Sequence, residues 1–302
     1  MRTNQTVVVV GATGFLGMET CRQLSDASYD VRGIVRNSSN EEKIYNLQQL
    51  GVDTLTADIK DPGSLLEAFQ GADAVISTAS SSLSRQEGDS IATVDLQGQL
   101  NVVEAAEKAG VKKLVFISFH PISETFPLQD AKRAVEQRLQ NSTLDFTILQ
   151  PTMFMEVWLS PALGFDAPNG SVTIYGKGEN PLSWISLRDV ASFAVEALNN
   201  GQTSRQTFEL GGPEALSPKE VISQFEEESG KQMDVRHVPV EALKEQKVAA
   251  ADPLTQSFAA LMIGYANGYP IRMEKTLTIL PVSLMSVREY ARTMMPAATA
   301  AM

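Results

Sequence analysis

Three glycines, Gly11, Gly14 and Gly17, recur at three-residue spacing directly behind the four valines Val7–Val10. A buried-strand pattern ends where the glycines begin. A helical spacing of Leu16, Thr20, Cys21 and Leu24 takes over after them. Strand, tight turn and helix N-terminus together make an anion site, because free backbone N–H groups and the positive end of the helix dipole converge on one point. Glycine lets the chain turn sharply and lets a ligand approach without a Cβ in the way. Such a triplet is a weak signal by itself and a strong one between a strand and a helix. Gly11, Thr13, Gly14, Phe15, Leu16 and Gly17 are therefore read as holding a dinucleotide pyrophosphate, with the Thr13 hydroxyl beside it.

The end of the second strand chooses the cofactor. An acid there binds a ribose 2′-hydroxyl, whereas arginine accommodates a 2′-phosphate. The chain reads Gly33-Ile-Val-Arg36-Asn37-Ser38-Ser39, with no carboxylate until Glu41. Arg36 offers a planar fork for phosphate, and Asn37 and Ser38 add hydrogen-bonding groups. The expected cofactor is NADP, with NADPH preferred over NADH. Later strand ends supply Asp58-Ile59, where Asp58 either accepts from an adenine amino group or merely enters a helix, then Ser77-Thr78-Ala79 and Pro151-Thr152-Met153. Phe119, Phe126, Met153, Phe154, Met155 and Trp158 follow strand ends that should face the nicotinamide. Binding pockets are largely apolar with few polar anchors, so Phe119, Phe154 and Trp158 are read as substrate contacts. Lid core or a subunit interface accounts for any one of them equally well.

These residues need a scaffold. Strand-like segments fall at Thr6–Gly11, Asp30–Val35, Val52–Ala57, Ala74–Thr78, Lys113–Ser118 and Asp145–Leu149, with helical segments between them. Asp61-Pro62 opens one helix, and Gly51 and Gly110 close others, the second of these starting near Ser90. Repeated strand–helix–strand order predicts an α/β fold, a doubly wound parallel sheet with helices on both faces and ligands beyond the strands' C-terminal ends. The expected division is 1–150 as the cofactor domain and 151–302 as a smaller α/β substrate or lid part, with segments around 172–200 returning to the main sheet. In that part a helix is expected at Leu187–Leu198, and a capping box, Ser217-Pro-Lys-Glu220, opens another. A further helix starts near Val240, Leu277–Ile279 is strand-like, and Pro296–Met302 is expected to fray.

Composition narrows the function. The 302 residues carry a net charge of −11, which disfavours nucleic acid and anionic membranes as partners. No apolar run reaches membrane-spanning length and no leader peptide is visible. The single cysteine, Cys21, excludes an intrachain disulfide and a multi-cysteine metal site. No metal is expected, and a cytoplasmic monomer or homodimer is.

Taken in order, Gly11–Gly17, Asp95-Leu-Gln-Gly98-Gln-Leu-Asn101, Val115-Phe-Ile-Ser118, Ile185-Ser-Leu-Arg-Asp189-Val-Ala and Phe208-Glu-Leu-Gly-Gly-Pro-Glu resemble the extended short-chain dehydrogenase/reductase superfamily with its Rossmann sheet. Arg36 and Leu149-Gln-Pro151-Thr-Met-Phe154-Met-Glu156 resemble its atypical, NmrA-like branch. The resemblance spans about residues 5–225. It implies that Lys132 binds the nicotinamide ribose and that Ser118 keeps the serine position after the fifth strand. The usual catalytic tyrosine would stand four residues before Lys132, where the chain has Leu128, and the expected asparagine is replaced by Asp95. A proton must then come from His120 or from water. A surface Lys132 paired with Glu136 is the plain alternative.

The resemblance implies an NADP-dependent oxidoreductase delivering hydride from NADPH to a small flat apolar acceptor such as a quinone or enone. Alternatively, the chain is an NADP(H)-binding redox sensor with a regulatory protein partner and little turnover. A structural assembly factor that uses the fold without cofactor is disfavoured by the intact glycine turn.

Overall fold

The structure, a computed structural model, describes residues 5–83 and 85–294; the Pro296–Met302 tail lies outside them. The first half runs β1 (Thr6–Val10), α1 (Phe15–Asp26), β2 (Asp30–Val35), α2 (Glu41–Gln49), β3 (Asp53–Thr56), α3 (Pro62–Phe69) and β4 (Ala74–Ser77). A π-helical stretch, Ile91–Gly98, then leads into α4 (Gln99–Ala109), β5 (Lys113–Ile117), α5 (Pro127–Gln140) and β6 (Asp145–Pro151). The second half holds β7 (Met153–Phe154), α6 (Met155–Trp158), β8 (Phe165–Asp166), β9 (Ser171–Tyr175), β10 (Leu182–Ile185) and α7 (Leu187–Asn199). It continues with β11 (Gln206–Leu210), β12 (Ala215–Leu216), α8 (Pro218–Ser229), β13 (Asp234–Val238), α9 (Val240–Ala249), α10 (Pro253–Asn267), α11 (Glu274–Ile279) and α12 (Val287–Met294).

Seven strands form one parallel sheet in the order β11-β6-β5-β4-β1-β2-β3. The chain winds outward in both directions from β1, so the switch point, where such sheets open a crevice, lies between β1 and β4. The run of valines in β1 reads as it does because both faces are covered. Val7 and Val9 pack into the layer of α1 and α7, and Val8 and Val10 into that of α3 and α4. All four are at most 1% exposed, and each contributes roughly 1.5–3 kcal/mol by leaving water.

Caps end the helices where the sequence puts them. Asp61 accepts from Gly63 N at 3.0 Å, and Ser217 and Glu220 make their reciprocal box. Gly110 closes α4 at φ 72°.

Two expectations change in the second half. The strand that returns to the main sheet is β11, outside the 172–200 range; β9 and β10 pair instead in two small three-stranded sheets, β13-β9-β8 and β12-β10-β7. The part of that range that covers the main sheet is helical, α7, whose Val190, Phe193, Ala194 and Ala197 are buried beside β1 and β5 residues. Leu277–Ile279 is helical, inside α11, with Leu277 and Ile279 packed on the same core. A short apolar run fits a strand and a buried helical turn equally, and periodicity cannot separate them.

Candidate active site

The glycine turn is a cradle with no room for a Cβ. Gly11 has φ 86°, and a Cβ on it would come within 2.8 Å of Ala79 N. A Cβ on Gly17 would fall 2.1 Å from the Gly11 carbonyl oxygen. Thr78 ties the turn to β4 by donating to Val10 O at 3.0 Å. Gly14 is the N-cap of α1, and no side chain caps the helix there. A helix that starts in a strand-end crevice without a capping side chain presents its backbone donors to that crevice. These features fit a bound pyrophosphate.

A cavity of about 520 Å³ begins at this turn and runs along the C-terminal ends of the strands. Of the residues read from the sequence it is lined by Gly11, Thr13, Gly14, Phe15, Leu16, Gly17, Arg36, Ile59, Thr78, Ala79, Ser118, Phe119, His120, Lys132, Pro151, Thr152, Met153, Phe154 and Trp158. Asn37, Asp58 and Ser77 are not among the lining residues. Asn37 is exposed beyond the strand end. Asp58 turns its carboxylate back to accept from Lys60 N at 2.9 Å. Ser77 is fully buried and donates to Gln99 Oε1 at 2.7 Å.

Strand-end pairing continues past β5, β6 and β11 and positions the middle of the cavity. Ser118 N donates to Leu149 O at 2.8 Å, His120 N to Pro151 O at 2.9 Å and Thr152 N to Leu210 O at 2.9 Å. Across this floor α5 presents Lys132, which is 5% exposed. Lys132 Nζ donates to Ile117 O at 3.3 Å and lies 3.9 Å from Asp95 Oδ1. Asp95 sits on the π-helical stretch, a geometry often found beside functional groups. Its Oδ2 accepts from Ser81 N and Ser81 Oγ at 3.1 and 2.5 Å, leaving Oδ1 without a hydrogen-bond partner. Burial lowers the Lys132 pKa, and the nearby Asp95 and Glu136 carboxylates only partly offset it. Lys132 is therefore no surface helix lysine; it is the neighbouring, partly buried Arg133 that reaches the buried Glu136, at 3.1 Å.

Ser118 Oγ accepts from Arg133 Nη2 at 3.0 Å, and the same nitrogen donates to Phe119 O at 2.5 Å. Arg133 thus fixes the turn after β5. His120 stacks on Tyr269 with ring centroids 5.4 Å apart. Its Nδ1 lies 3.1 Å from Glu209 Oε1 but outside hydrogen-bond alignment. Desolvation lowers the His120 pKa in spite of Glu209, so the ring is neutral at neutral pH.

The far end of the cavity is apolar. Leu128, four residues before Lys132, forms part of the wall. Phe119, Phe154 and Trp158 are joined there by Phe258, Leu261 and Tyr269, which come from α10 and the turn after it. α10 approaches closely because its Gly264 has no Cβ to meet Ile122, which would lie 2.6 Å away. Gln129 holds the Ile122 loop by bonding Ile122 N, Ile122 O and Glu124 O. The sequence reading passed over these α10 residues, because an apolar helix with no motif gives no sign of which wall it forms. It also passed over Lys43, Ser39 and Asp89, which line the mouth near Arg36. Burial pushes the Tyr269 hydroxyl well above the ordinary tyrosine range, so it stays protonated. Among the described residues no group of three or more His, Cys, Asp and Glu side chains could hold a metal, and no helix is long and apolar enough to cross a membrane.

Known proteins share this frame. The chain is 34% identical over 241 residues to the photosystem II assembly factor Ycf39 of Synechocystis sp., covering 79% of this chain and 72% of that one. It is 28% identical over 258 residues to an NAD(P)H azoreductase of Xenophilus azovorans, covering 85% and 84%. The NADPH-dependent quinone oxidoreductase QOR2 of Escherichia coli, solved with NADPH, has the same fold at TM-score 0.77 and 23% identity, over 95% of this chain and 99% of that one. The NmrA-like family model matches residues 3–291, and the chain belongs to that family.

Proposed function

We propose that the protein is an NADPH-dependent oxidoreductase acting on a small, flat, apolar acceptor of the quinone or enone class. The observation that supports this best is the continuity of the cavity from the uncapped α1 N-terminus, past buried Lys132, to the aromatic end at Phe119, Phe154 and Trp158. Gly11, Thr13, Gly14, Phe15, Leu16 and Gly17 would hold the pyrophosphate and Arg36 the 2′-phosphate. Thr78, Ala79 and Ile59 would line the adenosine, and Lys132, Pro151, Thr152 and Met153 the nicotinamide ribose. The cofactor, when bound, supplies hydride. The chain's own part is to exclude water with its apolar wall, to orient a flat acceptor between aromatic side chains, and to offer hydrogen-bond donors to the oxygen that gains charge. Lys132, Tyr269 and His120 are the candidate donors around that end. Quinone reduction suits a site with leucine in place of tyrosine, because water can protonate the stable hydroquinone anion without a dedicated acid.

The test is calorimetric titration with NADPH and NADH, followed by NADPH oxidation assays with naphthoquinones, enones and azo dyes. Micromolar NADPH binding with sustained turnover supports the proposal. Tight binding without turnover across the panel overturns it in favour of a second reading, an NADP(H)-sensing partner protein, which the 34% identity to an assembly factor favours. That reading expects a partner to distinguish the loaded from the empty chain.

A further inference from the structure

At the adenosine end of the cavity, Arg36 and Lys60 are already paired with a carboxylate from elsewhere in the chain, while Lys43 lies over the Phe15 ring. Asp89 lies far from β2 in sequence, and its side chain is 2% exposed. One oxygen accepts from Arg36 Nη1 at 2.7 Å and the other from Lys60 Nζ at 2.7 Å. The first also accepts from Gln86 N at 2.9 Å, and Asp89 N donates to Gln86 O at 3.0 Å, closing a turn from Gln86 to Asp89. Gln86 clamps that turn onto the loop after β2: its amide donates to Ser38 O at 3.0 Å, and its Oε1 accepts from Ser38 Oγ. Burial alone would raise the Asp89 pKa, but its bonds to Lys60, Arg36 and the Gln86 amide hold it below the usual carboxylate range, so the group is an anion at neutral pH.

A carboxylate bridging an arginine and a lysine at this place offers the same charge pattern as a phosphate monoester. Both ligands draw on Arg36, and a phosphate carrying about −1.5 to −2 charges at neutral pH that approaches its guanidinium meets the repulsion of the Asp89 carboxylate already bound at Nη1. We propose that Asp89 sets the cofactor preference: it occupies the 2′-phosphate's cations, so a phosphorylated adenosine enters by displacing the Gln86–Asp89 turn, and an unphosphorylated one leaves that turn closed. This rests on the reading of the cavity as a nicotinamide dinucleotide site. Asp89 is then both a brake on NADPH affinity and the trigger of a cofactor-specific rearrangement, in which Arg36 and Lys60 exchange one anion for another. The Ser38–Gln86 clamp makes the exchange visible at the surface, since the turn must leave the loop after β2.

The experiment is calorimetric titration of the wild type, Asp89→Asn, Arg36→Ala and the double variant with NADPH and with NADH. Asp89→Asn keeps the shape and removes the charge. It should tighten NADPH binding about tenfold, a difference of about 1.4 kcal/mol, and leave NADH within about twofold. In the Arg36→Ala background the gain should vanish. Equal shifts for both nucleotides, or none, overturn the proposal while leaving the dinucleotide site intact. A wild type that binds neither nucleotide overturns the underlying site and the proposal together. Hydrogen exchange on the unaltered protein is independent of how the variant folds. NADPH should speed exchange in the peptide spanning Gln86–Ser90 and NADH should not; protection of that peptide by NADPH overturns the displacement.

Discussion

The two ends of the cavity are built by different means. The glycine-turn end is backbone: one continuous heptapeptide, Gly11 to Gly17, shaped by the absence of side chains and held against Ala79 and Thr78. The apolar end is side chains: Phe119, Phe154, Trp158, Phe258, Leu261 and Tyr269 arrive from separate segments and meet only after α10 docks against the Ile122 loop. A backbone site tolerates no added atom, whereas a side-chain site can be resized one residue at a time. Substitutions at the first end should therefore abolish cofactor binding outright, and those at the second should tune the acceptor.

The largest expected effect is Gly17→Ala. A Cβ placed 2.1 Å from the Gly11 carbonyl oxygen must push the turn open. NADPH affinity should fall by about a thousandfold or more, roughly 4 kcal/mol, with far-ultraviolet circular dichroism showing a folded chain. Affinity near wild type would break the contrast at its stronger end. Lys132→Met comes next. It sits between the two ends, buried against Asp95, and removes the cation while keeping the stem. The kcat for quinone reduction should drop about a hundredfold, in the range of one missing catalytic group, with NADPH affinity falling far less. An equal fall in both would make Lys132 a binding residue only.

Asp189 probes the scaffold of the side-chain half. It opens α7, is 3% exposed, and accepts from Met285 N at 2.8 Å, tying the C-terminal segment to the sheet. Burial raises its pKa from 3.8 to about 6. A raised carboxylate pKa means the folded state binds the proton more tightly. The stability it contributes is present below pH 3.8 and is lost as pH rises to about 6. Asp189→Asn should therefore gain about 2 kcal/mol relative to wild type between about pH 4 and about pH 7.5 in urea unfolding, with NADPH affinity unchanged. A pH-independent difference would show that the carboxylate stays ionised throughout. The smallest effect is Trp158→Ala, which removes a ring stacked 5.6 Å from Tyr265. It should raise the acceptor KM about tenfold, the scale expected when an apolar group is removed from a pocket wall, and leave the NADPH Kd unchanged. A change in that Kd would mean the two ends are coupled.

The local features were legible because their physics is local. Glycines at a strand end need only the chain on either side to become an anion cradle, and the valines of β1 announce a strand covered on both faces. The capping box at Ser217 and the αL glycine at Gly110 are contained within a few residues. Leu277–Ile279 misled because three apolar residues cannot specify a period. Ser77 and Asp58 were less legible for a different reason: standing after the right strand says where a backbone goes, not which neighbour claims the side chain. Gln99 claims one, and the Lys60 turn claims the other.

By itself, then, the sequence determined the parallel sheet, the glycine turn behind its first strand and the family, since each follows from spacing along the chain. Only the tertiary structure decided that Lys132 is buried beside Asp95, that Asp89 reaches across to Arg36, and that α10 closes the apolar end. Those are meetings between residues far apart in the chain. They depend on which faces of packed elements come together, and no local pattern encodes them.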